Sequence, residues 1–413
     1  MKIQRPHYQT KLINKRENGL IKVITGIRRS GKSYLLDPLF KDYLLAEGVP
    51  EDHIIKIEFD RIENLKFHND VEKLNEYIRS QIKDKGMHYL LLDEIQLVEQ
   101  FEFLLTGLLY EKNIDIYVTG SNSKFLSSDI ITEFRGRADQ VRVFPLSFSE
   151  FMSVFQGDKL AGWSEYITFG GMPLIHFIKT DEEKSAYLKD LFQHTYFKDI
   201  VERYKIQRVD ILDSLVSILA SSIGSLTNPK KIHDTFKSEG ENELSINTIH
   251  SYLSYLEEAF IVDKANRYDV KGRRYIKTPY KYYFTDVGLR NACLNFRQQE
   301  ESHIMENIIY NELMIRGYNV DVGLVEIREN GKRKQTEVDF VCNQGNKRYY
   351  IQSSLHLDSR EKTWQETRSL NHIDDNFKKI IIVKDVAKHW RTETGILVLS
   401  LFDFLEKWDS IDL

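Results

Sequence analysis

Eight residues near the start of the chain, Gly26-Ile27-Arg28-Arg29-Ser30-Gly31-Lys32-Ser33, set two glycines around four other residues and follow them with a lysine and a serine. This spacing suits a loop whose backbone N–H groups wrap phosphate oxygens, while the helix opening through Lys32, Ser33 and Tyr34 turns its positive N-terminus toward them. Glycine is required where the backbone turns tightly against a ligand. Lys32 supplies a point charge for the β- and γ-phosphates, and the Ser33 hydroxyl a ligand for Mg²⁺. Arg28 and Arg29 add positive charge beside the phosphates or contact a lid. The bland alternative is a strand-turn-helix containing Gly-Lys-Ser by chance. It is opposed by context, because "GLIKVI" before the loop reads as a buried strand and "SYLLDPLFKDYLL" after it as an amphipathic helix.

A second set of chemical groups lies in "YLLLDEIQ", where an apolar strand delivers Asp93 and Glu94 to its C-terminal edge, the edge at which ligands sit in open parallel sheets. Asp93 is placed to hold Mg²⁺ through a water, and Glu94 to orient and polarise the water that attacks a γ-phosphate. A solvated Asp-Glu pair at a helix start is the alternative. Ser121 and Asn122 end the next strand, "IDIYVTGSN", where one of the two either contacts the γ-phosphate or the attacking water, or caps a loop. In "EFRGRADQ", Arg135 and Arg137 follow the fourth strand. Either could be an arginine supplied in trans to a neighbouring subunit's phosphates, or a surface ion-pair residue.

The elements that must position these groups alternate strand and helix from the N-terminus, with further strands at "HIIKIEFD" and "QVRVFPLSF". That rhythm predicts an α/β fold with a doubly wound parallel sheet over residues 1–150. Residues 151–208 read as a helical lid interrupted by a tight turn at "FGGMP". Residues 209–286 read as a winged helix, with "ELSINTIHSYLSYLEEAFIV" as its capped helix and "DVKGRRYIK" at the tip of its hairpin. Residues 287–413 read as a second α/β unit. No internal repeat interrupts this order.

Composition bounds the function. A chain of 413 residues exceeds one ordinary core. The net charge of −4 and a pI near 6.3 give no whole-chain basic field, so a nucleic-acid site must be local. Two cysteines, Cys293 and Cys342, exclude a disulfide framework and a cysteine-based zinc finger, and suit a reducing cytoplasm. No segment reaches the eighteen or so apolar residues of a membrane span. These features predict a cytoplasmic protein without a membrane. The local basic field is "NRYDVKGRRYIKTPYKYYFTD", which sets Arg267, Lys271, Arg273, Arg274, Lys277 and Lys281 against one internal acid, Asp269, interleaved with tyrosines, as a nucleic-acid-binding wing would. Exposed hairpins of protein-binding modules are often basic too.

With the phosphate loop, "YLLLDEIQ", "TGSN", "FRGR", "PLSFSEF", "FGGMP" and "YFKDIVER" in this order, the chain resembles the prokaryotic P-loop ATPases that join an AAA-type domain to the domain of unknown function numbered 4143. The resemblance covers nearly the whole chain and is most specific in the ATPase half. It implies an additional-strand catalytic-glutamate core, a helical lid, a winged helix and a restriction-endonuclease-like terminal fold. It also implies ATP as the nucleotide, since no guanine-reading motif is apparent, but supplies architecture more than purpose; the expectation for the C-terminal modules of a homo-oligomer is coupling to DNA, another nucleic acid or a protein partner. In the terminal fold, metal-dependent cleavage would draw on a helix glutamate, here Glu306, a strand aspartate, here Asp339, and a Glu-x-Lys, here Gln352-Ser353-Ser354. With serine where the lysine belongs, the expectation is a nuclease-like fold that does not cut. An ATP-hydrolysing enzyme is thus the first reading. An ATP-controlled assembly switch with little turnover and an ATP-regulated nuclease are its rivals.

Overall fold

The computed structural model describes residues 2–120, 134, 136–241, 244–298, 300–329 and 331–413, which fall into two compact units, Met1–Pro145 and Leu146–Leu413. In the first unit the apolar runs form strands β1 (Ile21–Thr25), β2 (Ile54–Glu58), β3 (His88–Asp93), β4 (Ile114–Thr119) and β5 (Ala138–Arg142). Every residue of β1, β3 and β4 is buried, the pattern of strands covered on both faces. The order is β2-β3-β4-β1-β5, all parallel. All five strands therefore deliver their last residues to one edge, and β1 stands where the winding reverses, which is where open sheets of this kind bind ligands.

The predicted helix after the phosphate loop is not continuous. A short helix, Lys32–Tyr34, passes into a wider turn at Leu35–Phe40 and resumes at Lys41–Ala46, with Asp37 extended at φ −141° and ψ 118°. Pro38 is the cause, since its ring excludes the preceding residue from helical backbone. The apolar periodicity survives the break, so Leu35, Leu36, Leu39, Phe40 and Leu44 stay buried.

In the second unit, helices precede and flank a sheet in the order β12-β13-β11-β10-β9-β8-β6-β7. Its strands are β6 (Val262–Asp269), β7 (Arg274–Phe284), β8 (Asn319–Glu329), β9 (Lys332–Gln344), β10 (Lys347–Ser354), β11 (Lys378–Val383), β12 (Trp390–Arg391) and β13 (Leu397–Ser400). Strands on both sides of residue 286 share this sheet, because β6 pairs parallel with β8 from Arg267–Val322 to Asp269–Leu324. The hairpin that the sequence marks as a wing is thereby an edge of the C-terminal sheet. The "FGGMP" segment makes its tight turn, with Gly170 at φ +73° and the Gly171 N–H donated to the Asp286 carboxylate at 2.8 Å. A Cβ on Gly171 would stand 2.2 Å from the Leu146 carbonyl oxygen, so only glycine permits that approach.

Candidate nucleotide site

The phosphate loop leaves β1 at Thr25 and is held from beneath. Gly26 sits at φ +137°, and a Cβ there would lie 2.1 Å from the Val143 carbonyl oxygen, so the first glycine is fixed by packing on the segment after β5. Gly31 precedes the helix in the left-handed region at φ 95°. Ile27 and Ser30 are buried, and the Ser30 hydroxyl has no hydrogen-bond partner among the described residues. Arg28 and Tyr34 are half-buried and Arg29 is exposed. Sequence reasoning missed Arg5, a buried guanidinium that donates to the Ser30 carbonyl at 2.9 Å and the Phe144 carbonyl at 2.8 Å, tying the loop to the same segment. An arginine just before a helix gave no local signal of that role.

Lys32 folds back over the loop. Its ammonium donates to the Gly26 and Ile27 carbonyls at 3.0 Å each and is 4% exposed. Burial draws its pKa down to about 8, against Glu94 and Asp93, which raise it, and with Arg28, which lowers it. Phosphates arriving at the loop would raise it again, so nucleotide should bind evenly below pH 8 and lose up to about tenfold in affinity per pH unit above. Calorimetry in two buffers of different ionisation enthalpy should show proton uptake on binding at pH 8–9 and little at pH 7.

Parallel registry brings the acids to this loop. Ile24 pairs with Thr119, and Leu92 with Val118, so the ends of β1, β4 and β3 lie side by side. The Asp93 carboxylate accepts from the hydroxyls of Thr119 and Ser33. Its pKa is raised, chiefly by burial and further by Glu94 and Asp60, while the two hydroxyls oppose the rise. A buried carboxylate beside a serine hydroxyl is a fitting donor set for Mg²⁺. Glu94 follows in the left-handed region at φ 54°. Its N–H donates to the Thr119 hydroxyl at 3.0 Å, and its carboxylate accepts from the buried Gln96 amide. Strained backbone of this kind persists where the surroundings over-determine it, often at functional sites. Thr119 is the residue the sequence reading passed over when it looked two and three positions further on.

Residues 18–152 match the family model described as an AAA domain. Residues 160–300 match that of a domain of unknown function, DUF8612, a different designation from the 4143 domain of the resemblance. An uncharacterised protein of Haemophilus influenzae is 34% identical over 410 residues, covering 98% of each chain. An uncharacterised protein of Methanocaldococcus jannaschii is 30% identical over 337 residues, covering 78% of this chain and 71% of that one. The chain is an AAA-domain protein of the same family as these relatives. Among solved structures, the Aeropyrum pernix ORC1 protein in complex with DNA aligns at 10% identity and TM-score 0.31, over 71% of this chain and 93% of that one.

Two further expectations for the AAA domain, Asn122 and Arg135, lie outside the described residues, as does Ser121. Arg137 is exposed just before β5, with its guanidinium 5.8 Å from the centre of the Tyr110 ring. Its neighbour Ala138 pairs with Ile21 at the start of β1, whereas the loop leaves β1 after Thr25. Four strand residues, roughly 13 Å, thus separate Arg137 from its own phosphate loop.

In the second unit Lys271, Arg273, Arg274 and Lys277 are all exposed around the hairpin tip, together with Tyr275. The helix Ile246–Glu258, which the sequence offers as a recognition helix, contains no lysine or arginine, and its exposed residues include Asn247, His250, Ser251 and Ser254. The helix thus offers no basic side chain of its own, whereas the hairpin offers four.

The terminal cluster corrects one expectation. The sequence supplies no lysine near Glu306, Asp339 and Gln352, but the fold brings Lys281 there from β7. Its ammonium lies 2.8 Å from Glu306, 2.6 Å from Glu337 and 4.0 Å from Asp339. The physical reason is the sheet: β7 runs antiparallel to β6 at the edge facing the helix Glu301–Ile315, and a lysine there points into the carboxylates. Burial alone would lower the Lys281 pKa, but Glu306, Asp339 and Glu337 together hold it above its ordinary value. Glu306 also accepts from the Tyr283 hydroxyl at 2.6 Å, and burial pushes its pKa up to about 7 despite Lys281. Asp339 accepts from the Ser353 N–H and hydroxyl at 2.8 Å each, and Gln352 accepts from the Asp339 N–H at 3.4 Å. Ser354 donates to the His356 carbonyl at 2.9 Å.

No described helix is long and apolar enough to cross a membrane.

Proposed function

We propose that the AAA domain hydrolyses ATP, using Gly26, Gly31, Lys32 and Ser33 to hold the phosphates and Glu94 to activate water. The observation that carries this reading is the contact of Ser33 with Asp93 beside Glu94, with Lys32 buried among them. Mg²⁺ would be held by Ser33 and Asp93, and would draw charge from the γ-phosphate. Lys32 exchanges its two loop carbonyls for phosphate oxygens, moving a cation already on site onto the developing charge. Glu94, oriented by Gln96, takes the proton of the attacking water. A pure assembly switch would have no need of that carboxylate. Steady release of phosphate by the full chain, absent in Lys32→Ala, tests hydrolysis; tight nucleotide that never turns over would favour the switch.

A further cation, on the far side of the γ-phosphate, would come from a second copy of the chain. Arg137 is the described candidate, being exposed and beyond reach of its own loop, and Arg135 is its companion. Mixing Arg137→Ala or Arg135→Ala protein with Lys32→Ala protein should restore part of the activity that each lacks, because an intact loop then meets an intact arginine. Activity should also rise more than linearly with protein concentration. If both mixtures stay inactive while the proteins still assemble, the site is not shared. The basic hairpin at 271–277 is proposed to couple nucleotide state to a nucleic acid, with a protein partner as the other outcome. Stimulation of phosphate release by single- or double-stranded DNA, weakened in Arg273→Ala/Arg274→Ala, separates them.

A further inference from the structure

At the end of the sheet opposite the phosphate loop, two histidines and an aspartate converge outside any site described above. His53 precedes β2, His88 opens β3, and Asp84 lies in the turn leading to it; since Ile54 pairs with Tyr89, the two histidines stand abreast. Their rings stack with centroids 4.2 Å apart and planes 11° from parallel. His53 Nδ1 is 3.1 Å from the Met87 carbonyl oxygen and His88 Nδ1 is 2.8 Å from that of Gly86. A carbonyl oxygen only accepts, so both Nδ1 atoms carry a hydrogen, and each neutral ring presents an Nε2 lone pair. His88 is fully buried, and its Nε2 has no hydrogen-bond partner among the described residues. His53 Nε2 faces an Asp84 carboxylate oxygen at 3.3 Å. The ligand atoms of all three residues lie within 4.8 Å of one another.

The Asp84 carboxylate answers His53 Nε2, but among the described residues no group donates to the buried His88 Nε2. A divalent ion satisfies all three groups. We infer that His53, His88 and Asp84 form a Zn²⁺-class site, with two imidazole nitrogens, one carboxylate oxygen and water completing the tetrahedron. Ring N–H groups bonded to backbone carbonyls are the usual outer support of histidine ligands, fixing the tautomer and orienting the ring. Nitrogen and oxygen ligands about 2.0–2.1 Å from zinc stand roughly 3.4 Å apart in a tetrahedron, a spacing the His53–Asp84 pair already has. With planes 11° from parallel, the two rings must also turn about their side-chain bonds until both planes pass through the ion. Gly86 lets the turn pack this tightly, since a Cβ there would lie 2.6 Å from the His53 ring and 2.9 Å from Asp84. His88 and Asp93 are five strand residues, about 16 Å, apart, so the ion would clamp the starts of β2 and β3 and take no part in nucleotide chemistry.

The test uses the full chain without an affinity tag, stripped by chelator and free of nucleotide. Titration with Co²⁺ should give the visible absorption of a four-coordinate ion, saturating at one per chain and displaced by Zn²⁺. Zn²⁺ should also raise the unfolding temperature. Asp84→Ala, a change in an exposed turn, should weaken Co²⁺ by about tenfold or more, while Asp93→Asn should leave it intact. His88→Ala should abolish binding; if that variant fails to fold, Asp84→Ala decides alone. No saturable Co²⁺, binding unchanged in Asp84→Ala, or binding lost in Asp93→Asn would each overturn the assignment.

Discussion

Glu94→Gln is expected to bind ATP as the parent does and to hydrolyse it roughly 10²–10⁴-fold more slowly. The amide has the shape of the carboxylate and leaves an oxygen to accept from Gln96, so the side chain keeps its place. The backbone at φ 54° is held by the Thr119 hydroxyl, which a change at the side-chain terminus does not touch. Asp93 still meets Ser33 and Thr119, so the proposed Mg²⁺ ligands persist. What disappears is the carboxylate proposed to take a proton from water. ATP should therefore remain bound and uncleaved, seen as nucleotide that co-purifies or filters with the variant while phosphate release falls. Hydrolysis at the parent rate would show that Glu94 is misassigned and that another group activates the water.

The candidate nucleotide site was legible as an arrangement because its parts are local. A glycine-flanked loop between an apolar strand and a helix, and an apolar run ending in Asp93-Glu94, announce a parallel sheet and its loaded edge without any long-range information. What the sequence concealed depends on pairing between distant segments. Thr119 matters because registry puts it beside Asp93, and Arg5 because the segment after β5 passes over it. The two histidines at 53 and 88 meet only because β2 and β3 are neighbours. The break at Asp37-Pro38 was visible in the proline, but apolar periodicity ran through it and outweighed it. The hairpin at 262–284 shows the same limit. Its turn chemistry is local, whereas its attachment to β8 lies more than fifty residues away.

That attachment carries the last expected result, which concerns Lys281. Lys281→Met should destabilise the second unit by about 3–5 kcal/mol, because Glu306, Glu337 and Asp339 would keep their burial and lose the ammonium that neutralises them. Glu306 limits part of the loss. With a pKa raised to about 7, it binds a proton more tightly folded than unfolded, so its contribution is complete below its ordinary range near pH 4.5 and is lost as pH rises through 7. The variant should accordingly unfold far more easily than the parent at pH 8 and approach it at pH 5, as urea titrations followed by circular dichroism would show. The same geometry argues against cleavage. Lys281 occupies the centre of the carboxylates, Asp339 is bonded to Ser353, and Gln352 turns its oxygen to the Asp339 N–H. Glu306 Oε1, Asp339 Oδ2 and the Gln352 oxygen are thus already engaged within the protein. Neither DNA nor RNA should be cut in Mg²⁺ or Mn²⁺, at any ATP concentration. Metal-dependent cleavage by the parent protein, lost in both Asp339→Ala and a Lys281→Met variant shown to be folded at pH 6, would instead make Lys281 the lysine of a working phosphodiesterase.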